Sequence, residues 1–318
     1  MIAVRRRWAA ARALIGQDGH VTEQPARRLL LVHAHPDDET IGSGVTMAHY
    51  AHSGALVTLV TCTSGEEGEV LVPELANLAS SHDDTLGAHR RDELAAAMTH
   101  LGVTDHRFLG GPGKYRDSGM IGTAPNERPD CFWRTDIKTA ADDLVTVIRQ
   151  TRPQVLVTYD DFGGYGHPDH IQAHRTAMYA AQLAAAPSYR ADLGEPWEIS
   201  KIYWTAMPRG WVKRGIDAMV AAGGTGFFGV DNADDLPFLV DDHWVTTVVD
   251  GREYVPAKVA ALREHATQID DSGPFFALTE HLGADALGYE FFRLVKGTAV
   301  PDPTNADGHE TDLFAGLD

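Results

Sequence analysis

The chain has 318 residues, of which 43% are hydrophobic and 23% are charged. These proportions are ordinary for a globular protein, and the length suits one large α/β domain or a domain with a sizeable insertion. Acidic residues outnumber basic ones, 45 against 27, so the formal net charge is −18. Because a phosphate-binding surface normally carries the opposite sign, this balance argues against a nucleic-acid partner. No apolar run approaches the roughly 20 residues that cross a bilayer, so we expect no membrane span.

The cysteines and the N-terminus bear on the cellular location. Two cysteines, Cys62 and Cys131, are too few for a disulfide scaffold, and their spacing matches no zinc finger. We therefore expect reduced thiols and a cytoplasmic protein. Residues 1–26 are rich in arginine, and Arg12 interrupts their short apolar part, which argues against a signal peptide. We interpret 1–26 as a basic, flexible extension.

The first part of the chain alternates short apolar runs with longer helical patterns. Continuous apolar runs of this length are typical of strands that are buried on both faces of a parallel sheet. The expected elements are strand 28–33, helix 40–53, strand 55–62, helix 82–101, strand 107–109, helix 136–151, strand 155–159 and helix 171–186. This alternation indicates βαβ units, and it predicts an α/β fold with a Rossmann-like parallel sheet flanked by helices.

The pattern changes in two places. Residues 110–135 are rich in Gly and Pro and predict a long surface loop, which in a compact domain is often functional. Beyond about residue 193 the pattern is less regular. It predicts strands at 199–205 and 245–249 and a helix at 252–268. We divide the chain into the extension 1–26, a metal-binding catalytic domain 27–192, a smaller mixed α/β portion 193–297 that completes the fold and pocket, and a polar tail 298–318.

Two clusters of polar side chains follow predicted strands. The first is His35-Pro36-Asp37-Asp38-Glu39, and the second is His167-Pro168-Asp169-His170. Each precedes a predicted helix. An acidic turn there can be simply a helix N-terminus whose carboxylates complement the macrodipole. In an open parallel sheet, however, such loops all lie at the carboxyl ends of the strands, where ligands bind. We therefore expect the two clusters to form one site.

Their chemistry suits a metal-assisted hydrolysis. A catalytic zinc typically takes three protein ligands and keeps one open position, and two imidazoles with one carboxylate provide a fitting set. Ferrous iron suits the same set, so both metals stay open. A bound metal lowers the pKa of its water to about 7, and a nearby carboxylate can take the proton during attack on a carbonyl.

A family resemblance follows from these motifs. Residues 33–39 (HAHPDDE) resemble the signature of the N-acetylglucosaminyl deacetylase superfamily called PIG-L or LmbE-like, and residues 164–170 (GYGHPDH) are similar to its second motif. Residues 61–70 and 116–120 resemble more narrowly the mycothiol-pathway branch, and residues 265–268 (HATQ) match its late helix. The resemblance runs from about residue 28 to residue 270. It implies a zinc-dependent hydrolase that deacetylates N-acetylglucosaminyl-inositol, a small amino-sugar substrate, in mycothiol biosynthesis.

The resemblance also implies residue roles. His35, Asp38 and His170 would hold the metal, and Asp37 would be the general base. His167 would stabilise the developing oxyanion or protonate the leaving amine.

Six further positions match the family pattern. Asp169 would orient His167. Tyr165 would contribute near the oxyanion as a mobile side chain between glycines. The positions that match the lining of the sugar or inositol pocket are Glu69, Arg90, Asp117 and Met120. We interpret His265 as a packed structural histidine rather than a ligand, and no protein partner is inferred.

Three other functions use similar residues. A mycothiol S-conjugate amidase cleaves a related amide with similar metal chemistry, but the segments 61–70 and 116–120 favour the deacetylase. A non-catalytic metal- or sugar-binding protein would have no need of Asp37 beside the ligands. A metal-dependent phosphodiesterase is disfavoured by the single-metal ligand count and by the sparse basic residues around both motifs.

Overall fold

The computed structural model describes residues 26–221, 232–270 and 283–317, the single positions 223, 230, 273 and 276, and the backbone of two short N-terminal strands. These strands, β1 (Ala13–Ile15) and β2 (Val21–Glu23), pair antiparallel. Most of the predicted extension 1–26 otherwise lies outside the described residues. Of the helices in the described part of the chain, none is long and apolar enough to cross a membrane.

A single sheet forms the centre of the described fold. Its strands are β3 (Arg28–His33), β4 (Leu56–Thr61), β5 (Asp105–Phe108), β6 (Val155–Thr158), β7 (Lys201–Ala206), β8 (Thr247–Asp250) and β9 (Tyr289–Lys296). Their order across the sheet is β5-β4-β3-β6-β7-β9-β8. The strands β3 to β7 run parallel, whereas β9 runs antiparallel to both β7 and β8. The portion from residue 193 onward therefore extends the same sheet.

Helices cover both faces of this sheet. They are α1 (Asp38–His52), α2 (Leu86–Leu101), α3 (Ile137–Thr151), α4 (Gly163–Gly166), α5 (Pro168–Ala185), α6 (Arg209–Ala221), α7 (Val255–Glu264) and α8 (Asp285–Gly288). Successive residues of β3 enter different cores: Leu30 packs with residues of α3 and α5, and Leu31 with residues of α1 and α2. Burial on both faces explains the continuous apolar run of β3. The predicted α/β fold is confirmed.

The sheet has a topological switch point between β3 and β6. From β3 the chain moves outward to β4 and β5, and it then returns to the other side of β3 as β6. The connections that leave β3 and β6 therefore run in opposite directions, which opens a crevice at the carboxyl ends of these strands. Both predicted clusters lie at this crevice, because His35 follows β3 and His167 follows β6.

Some element boundaries differ from the predictions. Helix α2 begins at Leu86 rather than at residue 82, and α7 ends at Glu264 rather than at residue 268. Helix α6 and strand β9 were not predicted. Among the described residues of α6, only Ile216 and Met219 are buried, so its periodicity is weak. Strand β9 (YEFFRLVK) carries charged side chains at Glu290, Arg293 and Lys296, so it lacks the continuous apolar run of β3.

The described part of the segment 298–318, which was predicted as a polar tail, packs against the sheet. The carboxylate of Glu310 is buried and accepts hydrogen bonds from Lys201 Nζ at 2.5 Å and from Tyr203 Oη at 2.6 Å. Next to it, Leu313 and Phe314 are buried in the core. The polar composition of this segment thus partly serves an internal network, which composition alone does not reveal.

We predict that Phe314→Ala lowers the free energy of unfolding by about 3–5 kcal/mol, because it removes a buried ring from the core. The ring lies 5.3 Å from that of Tyr50, centroid to centroid. Val300→Ala in the same segment should change stability by no more than about 0.5 kcal/mol, because Val300 is 43% exposed. Urea denaturation measures both variants. Equal, small effects would contradict the packing of this segment.

Candidate active site

The two predicted clusters meet at the switch point. The Oδ2 atom of Asp38 lies 3.3 Å from His35 Nδ1 and 3.3 Å from His170 Nε2. His35 follows β3, Asp38 begins α1, and His170 is in the first turn of α5, next to the end of β6. All three side chains are buried or nearly so. Two imidazole nitrogens and a carboxylate oxygen therefore share one small volume.

The other hydrogen bonds of the two imidazoles show which nitrogen carries a proton. His170 Nδ1 lies 3.1 Å from the carbonyl oxygen of Gly163, and since a carbonyl only accepts, Nδ1 is the donor. His170 Nε2 is then a bare lone pair in the neutral ring, and it has no hydrogen-bond partner among the described residues. His35 Nε2 lies 3.2 Å from Asp169 Oδ2, so Nε2 carries a proton, and a neutral ring would present Nδ1 as its lone pair. In their neutral forms, both imidazoles would therefore direct a lone pair at Asp38.

This arrangement fits a divalent metal ion. Two nitrogen atoms and a carboxylate oxygen that converge in this way form a donor set that a cation would coordinate when the imidazoles are neutral. Two histidines and one carboxylate are a common set for zinc and for ferrous iron. Among the described residues, two sets have ligand atoms that all lie within 4.8 Å of one another: His35, His167 and His170, and His35, Asp117 and Asp169. Asp38 is in neither set, although its Oδ2 lies 3.3 Å from both His35 and His170. The described part of the chain therefore contains a cluster that could hold a metal ion.

The carboxylate of Asp38 is ionised and firmly held. Burial alone would raise its pKa, but His170 and His35 lower the pKa well below the ordinary value. Asp38 Oδ2 also accepts hydrogen bonds from the backbone N–H of His35 at 2.9 Å and from the hydroxyl of Tyr159 at 2.8 Å. These bonds fix the carboxylate between the two imidazoles.

Tyr159 is a site residue for which the sequence analysis predicted no role. Its hydroxyl accepts from the backbone N–H of Ala34 at 2.8 Å while it donates to Asp38. Its ring stacks on His170, with centroids 4.2 Å apart and an interplanar angle of 23°. One residue thus ties the end of β6 to the loop after β3. In the sequence, the feature that could have indicated this role is the position of Tyr159 directly after a predicted buried strand.

Asp169 makes a contact that was not expected. The resemblance implied that it orients His167, but its carboxylate faces His35 and accepts from the backbone N–H of Ser118 at 2.8 Å. The Ser118 hydroxyl donates to the other oxygen of this buried carboxylate. Such a carboxylate–histidine contact fixes the tautomer and the ring orientation of a metal ligand. The orienting role of Asp169 towards His167 stays a prediction: its backbone N–H donates to His167 Nδ1, while its carboxylate contacts His35.

His167 is positioned by the backbone. Its Nδ1 atom accepts from the N–H of Asp169 at 3.1 Å, so the neutral ring carries its proton on Nε2. Burial, followed by the neighbouring His35 and His170, lowers the pKa of His167 to about 3. Its ring lies 4.6 Å from that of His35, centroid to centroid. His167 is thus a neutral hydrogen-bond donor beside the candidate metal ligands.

Asp37 has an unusual backbone conformation. Its φ of 115° and ψ of −36° lie in a sparsely populated region for a residue with a side chain. Such conformations cost on the order of 1–3 kcal/mol and persist only where neighbouring contacts enforce them. Burial raises the pKa of Asp37 to about 6, against the opposing effect of Arg90. A carboxylate with a pKa near neutrality is suited to accept and return a proton.

Arg90 holds the loops around Asp37. Its guanidinium is 3% exposed and donates to the carbonyls of Gly65 and Pro36, and to Asp37 Oδ2 at 3.2 Å. Gly65 has a φ of 69°, and a Cβ atom there would lie 1.9 Å from Arg90 Nη1, so only glycine fits. The resemblance places Arg90 in the sugar pocket, but in this structure its Nη1 and Nη2 atoms bond the protein, while Nε has no partner among the described residues.

The remaining predicted residues lie at different depths. Asp117 is buried, with Oδ1 at 3.5 Å from His35 Nε2 and at 2.8 Å from the backbone N–H of Gly119. The side chain of Glu69 is exposed, and that of Met120 is 46% exposed. Tyr165 is 44% exposed, and its ring centroid lies 4.9 Å from that of His170. Tyr165 belongs to the irregular turn 163–166, where three glycines have positive φ.

Comparisons with known proteins agree with this geometry. The family PIG-L, described as GlcNAc-PI de-N-acetylase, matches residues 30–181. The 1D-myo-inositol 2-acetamido-2-deoxy-alpha-D-glucopyranoside deacetylase of Geodermatophilus obscurus is 58% identical over 92% of this chain and 99% of its own. The protein of the same name from Kribbella flavida is 59% identical over 93% and 100%.

A solved structure shows the same fold at lower identity. The N,N'-diacetylchitobiose deacetylase from Pyrococcus horikoshii, in complex with its inhibitor MPG, matches with a TM-score of 0.56 and 21% identity. The match covers 86% of this chain and 85% of that one. This likeness concerns the fold alone, whereas the relatives above share more than half of their residues with the chain over nearly its full length. The chain therefore belongs to the PIG-L family of de-N-acetylases.

Proposed function

We propose that the protein is a metal-dependent deacetylase that hydrolyses the acetamide of N-acetylglucosaminyl-inositol to glucosaminyl-inositol and acetate, a step of mycothiol biosynthesis. The observation that carries this proposal is the position of Asp38 Oδ2, 3.3 Å from one nitrogen of each of two histidines, with Asp37 beside it. The two relatives named above, both deacetylases of this compound, support the choice of substrate.

His35, Asp38 and His170 would hold the metal, with zinc as the expected ion. When bound, a divalent metal acts as a Lewis acid that polarises the amide carbonyl and makes water a stronger acid. The chain's own contribution is to keep the two imidazoles in the tautomers that present lone pairs. The carbonyl of Gly163 does this for His170, and the carboxylate of Asp169 does it for His35.

Asp37 would take the proton from the attacking water. Its neighbour Asp38 points to the two imidazoles, whereas the backbone of Asp37, with its positive φ, directs the carboxylate towards Arg90. The two adjacent carboxylates would therefore have different roles, Asp38 as a metal ligand and Asp37 as the base. The proton that Asp37 takes up is then available to the departing nitrogen, so that water and amide yield amine and acetate in balance.

His167 would stabilise the oxygen of the amide carbonyl as negative charge develops on it. Its Nδ1 accepts from the backbone, so Nε2 presents a proton. A positioned donor of this kind is worth about 10²–10³ in rate in other enzymes of acyl transfer. This assignment favours the oxyanion over the leaving amine, because a neutral imidazole that gives up its Nε2 proton would become an anion.

The pocket residues divide by exposure. We propose that the exposed side chains of Glu69 and Met120 contact the sugar or the inositol, and that Tyr165 closes over the site from its glycine-flanked turn. Arg90 and Asp117 are buried, so we propose that they hold the site together from behind. This division is supported by their exposures and by the hydrogen bonds of Arg90.

The direct test is acetate release from N-acetylglucosaminyl-inositol by the purified protein. We expect turnover that a chelator abolishes and that added zinc or ferrous iron restores. A mycothiol S-conjugate, assayed in parallel, should be cleaved more slowly. Faster cleavage of the conjugate would identify an amidase instead, and chelator-resistant turnover would contradict the metal.

The first prediction of the mechanism concerns metal content. His35→Ala, Asp38→Ala and His170→Ala should each lose most of the bound metal and nearly all activity, because each removes one ligand. His174→Ala is the matched control, since His174 is also a buried histidine of α5 but bonds the carbonyl of Tyr159. Elemental analysis of the four variants measures their bound metal and tests the assignment of the ligands. Near-stoichiometric metal in the three ligand variants would rule the assignment out.

The second prediction separates proton transfer from metal binding. Asp37→Asn keeps the size of the side chain but cannot take a proton at neutral pH, so kcat should fall by about 10²–10⁴-fold. The metal content should stay at the wild-type level. Steady-state kinetics and elemental analysis on the same preparation measure both quantities. A wild-type kcat in a fully metal-loaded Asp37→Asn protein would refute Asp37 as the base.

The third prediction tests the division of the pocket. Met120→Ala should raise KM with little change in kcat, because an exposed contact with the sugar acts on binding. Arg90→Lys should mainly lower kcat, because a lysine cannot reach Gly65, Pro36 and Asp37 together. Initial rates over a range of substrate concentrations give both constants. The reverse pattern, with KM affected in Arg90→Lys alone, would restore Arg90 to the sugar pocket.

A further inference from the structure

A buried hydrogen-bonded pair lies directly behind Asp37. Glu39, in the first turn of α1, and His265, at the end of α7, are both fully buried, and Glu39 Oε1 lies 3.1 Å from His265 Nε2. The hydroxyl of Thr40 donates to the same oxygen at 2.5 Å. A buried carboxylate is costly unless it is hydrogen-bonded in this way. The mechanism proposed above uses neither Glu39 nor His265.

The second oxygen of Glu39 contacts the strained residue. Glu39 Oε2 accepts the backbone N–H of Asp37 at 3.0 Å. On the other side, the carbonyl of Asp37 accepts from the N–H of Ile41 at 2.9 Å. The backbone of Asp37 is thus held at both its N–H and its carbonyl, and the contact at the N–H comes from Glu39. Since a positive φ persists only where neighbours enforce it, this hydrogen bond is one of those neighbours.

His265 belongs to a short segment that ties the C-terminal portion to the site. The backbone N–H and the hydroxyl of Thr267 donate to the carboxylate of Glu93, at 2.9 Å and 2.8 Å. Glu93 is one turn along α2 from Arg90, whose guanidinium binds Asp37. Gln268 Nε2 donates to the carbonyl of Glu69 at 2.9 Å. This segment, residues 265–268, therefore contacts both the residue that holds the Asp37 backbone and the helix that holds its side chain.

We propose that Glu39 and His265 are positioning residues of the deacetylation: His265 fixes the carboxylate of Glu39, and Glu39 holds Asp37 in the backbone conformation that directs its side chain at the reaction site. This rests on the proposed role of Asp37 as the base. It gives residues 265–268 a function, since they support the catalytic arrangement through Glu39 and Glu93.

A double-mutant cycle tests the proposal. Glu39→Ala removes the acceptor of the Asp37 N–H, so Asp37 can leave its strained conformation, and kcat should fall about tenfold or more. KM and metal content should not change. Glu39→Gln keeps an acceptor oxygen and should recover most of kcat. In the Asp37→Asn protein, Glu39→Ala should cause little further loss, because the residue through which it acts is already disabled.

A matched control separates positioning from general stability. Glu310→Ala also removes a buried, fully hydrogen-bonded carboxylate, but one away from the site, where it bonds Lys201 at the start of β7. It should lower the melting temperature and leave kcat unchanged at a temperature where the protein is folded. If Glu39→Ala does not fold, His265→Ala takes its place in the cycle, with the same expected loss of kcat.

Two results would overturn the proposal. One is an additive loss when the Glu39 and Asp37 substitutions are combined, and the other is a wild-type kcat in Glu39→Ala. A crystal structure of the Glu39→Ala protein gives a readout that needs no substrate. Asp37 should leave its positive φ there, and a retained φ near 115° would refute the positioning role, whatever reaction the protein catalyses.

Discussion

The arrangement depends on one constraint: a carboxylate oxygen lies equally close to nitrogen atoms of two buried imidazoles. Asp38 Oδ2 is 3.3 Å from a nitrogen of His35 and 3.3 Å from one of His170. The Tyr159 hydroxyl holds this carboxylate, and the contacts of His170 Nδ1 and His35 Nε2 hold the two rings. The fold makes this possible, because the strands β3 and β6 are neighbours at the switch point of the sheet.

A second constraint acts on the adjacent residue. Asp37 and Asp38 are neighbours in sequence, yet they must face different partners, and the positive φ of Asp37 produces this divergence. The strain is offset by contacts from distant parts of the chain. Arg90 reaches the side chain from α2, and Glu39 holds the backbone with His265 behind it. The site is therefore assembled from both the Rossmann-like portion and the C-terminal portion, which share one sheet.

The sequence predicted the strands and the two clusters that form this site better than the contacts between their side chains. The runs at 28–33 and 155–159 are continuous and apolar because those strands are buried on both faces, so their position and the meeting of the two clusters could be predicted. The pairing of side chains could not, because it joins residues far apart in sequence; Glu39 and His265 are separated by 226 positions. For the same reason the contact of the Asp169 carboxylate with His35 and the buried contacts of Glu310 were not predicted.

The most direct test of the central claim is the location of the metal. We propose anomalous diffraction at the zinc absorption edge from crystals of the zinc-loaded protein. The account predicts one strong peak between His35 Nδ1, Asp38 and His170 Nε2. A peak on the opposite side of the His35 ring, between Nε2 and the carboxylates of Asp117 and Asp169, would contradict it. In that case His35 would use its other nitrogen, and Asp38 would not be a ligand.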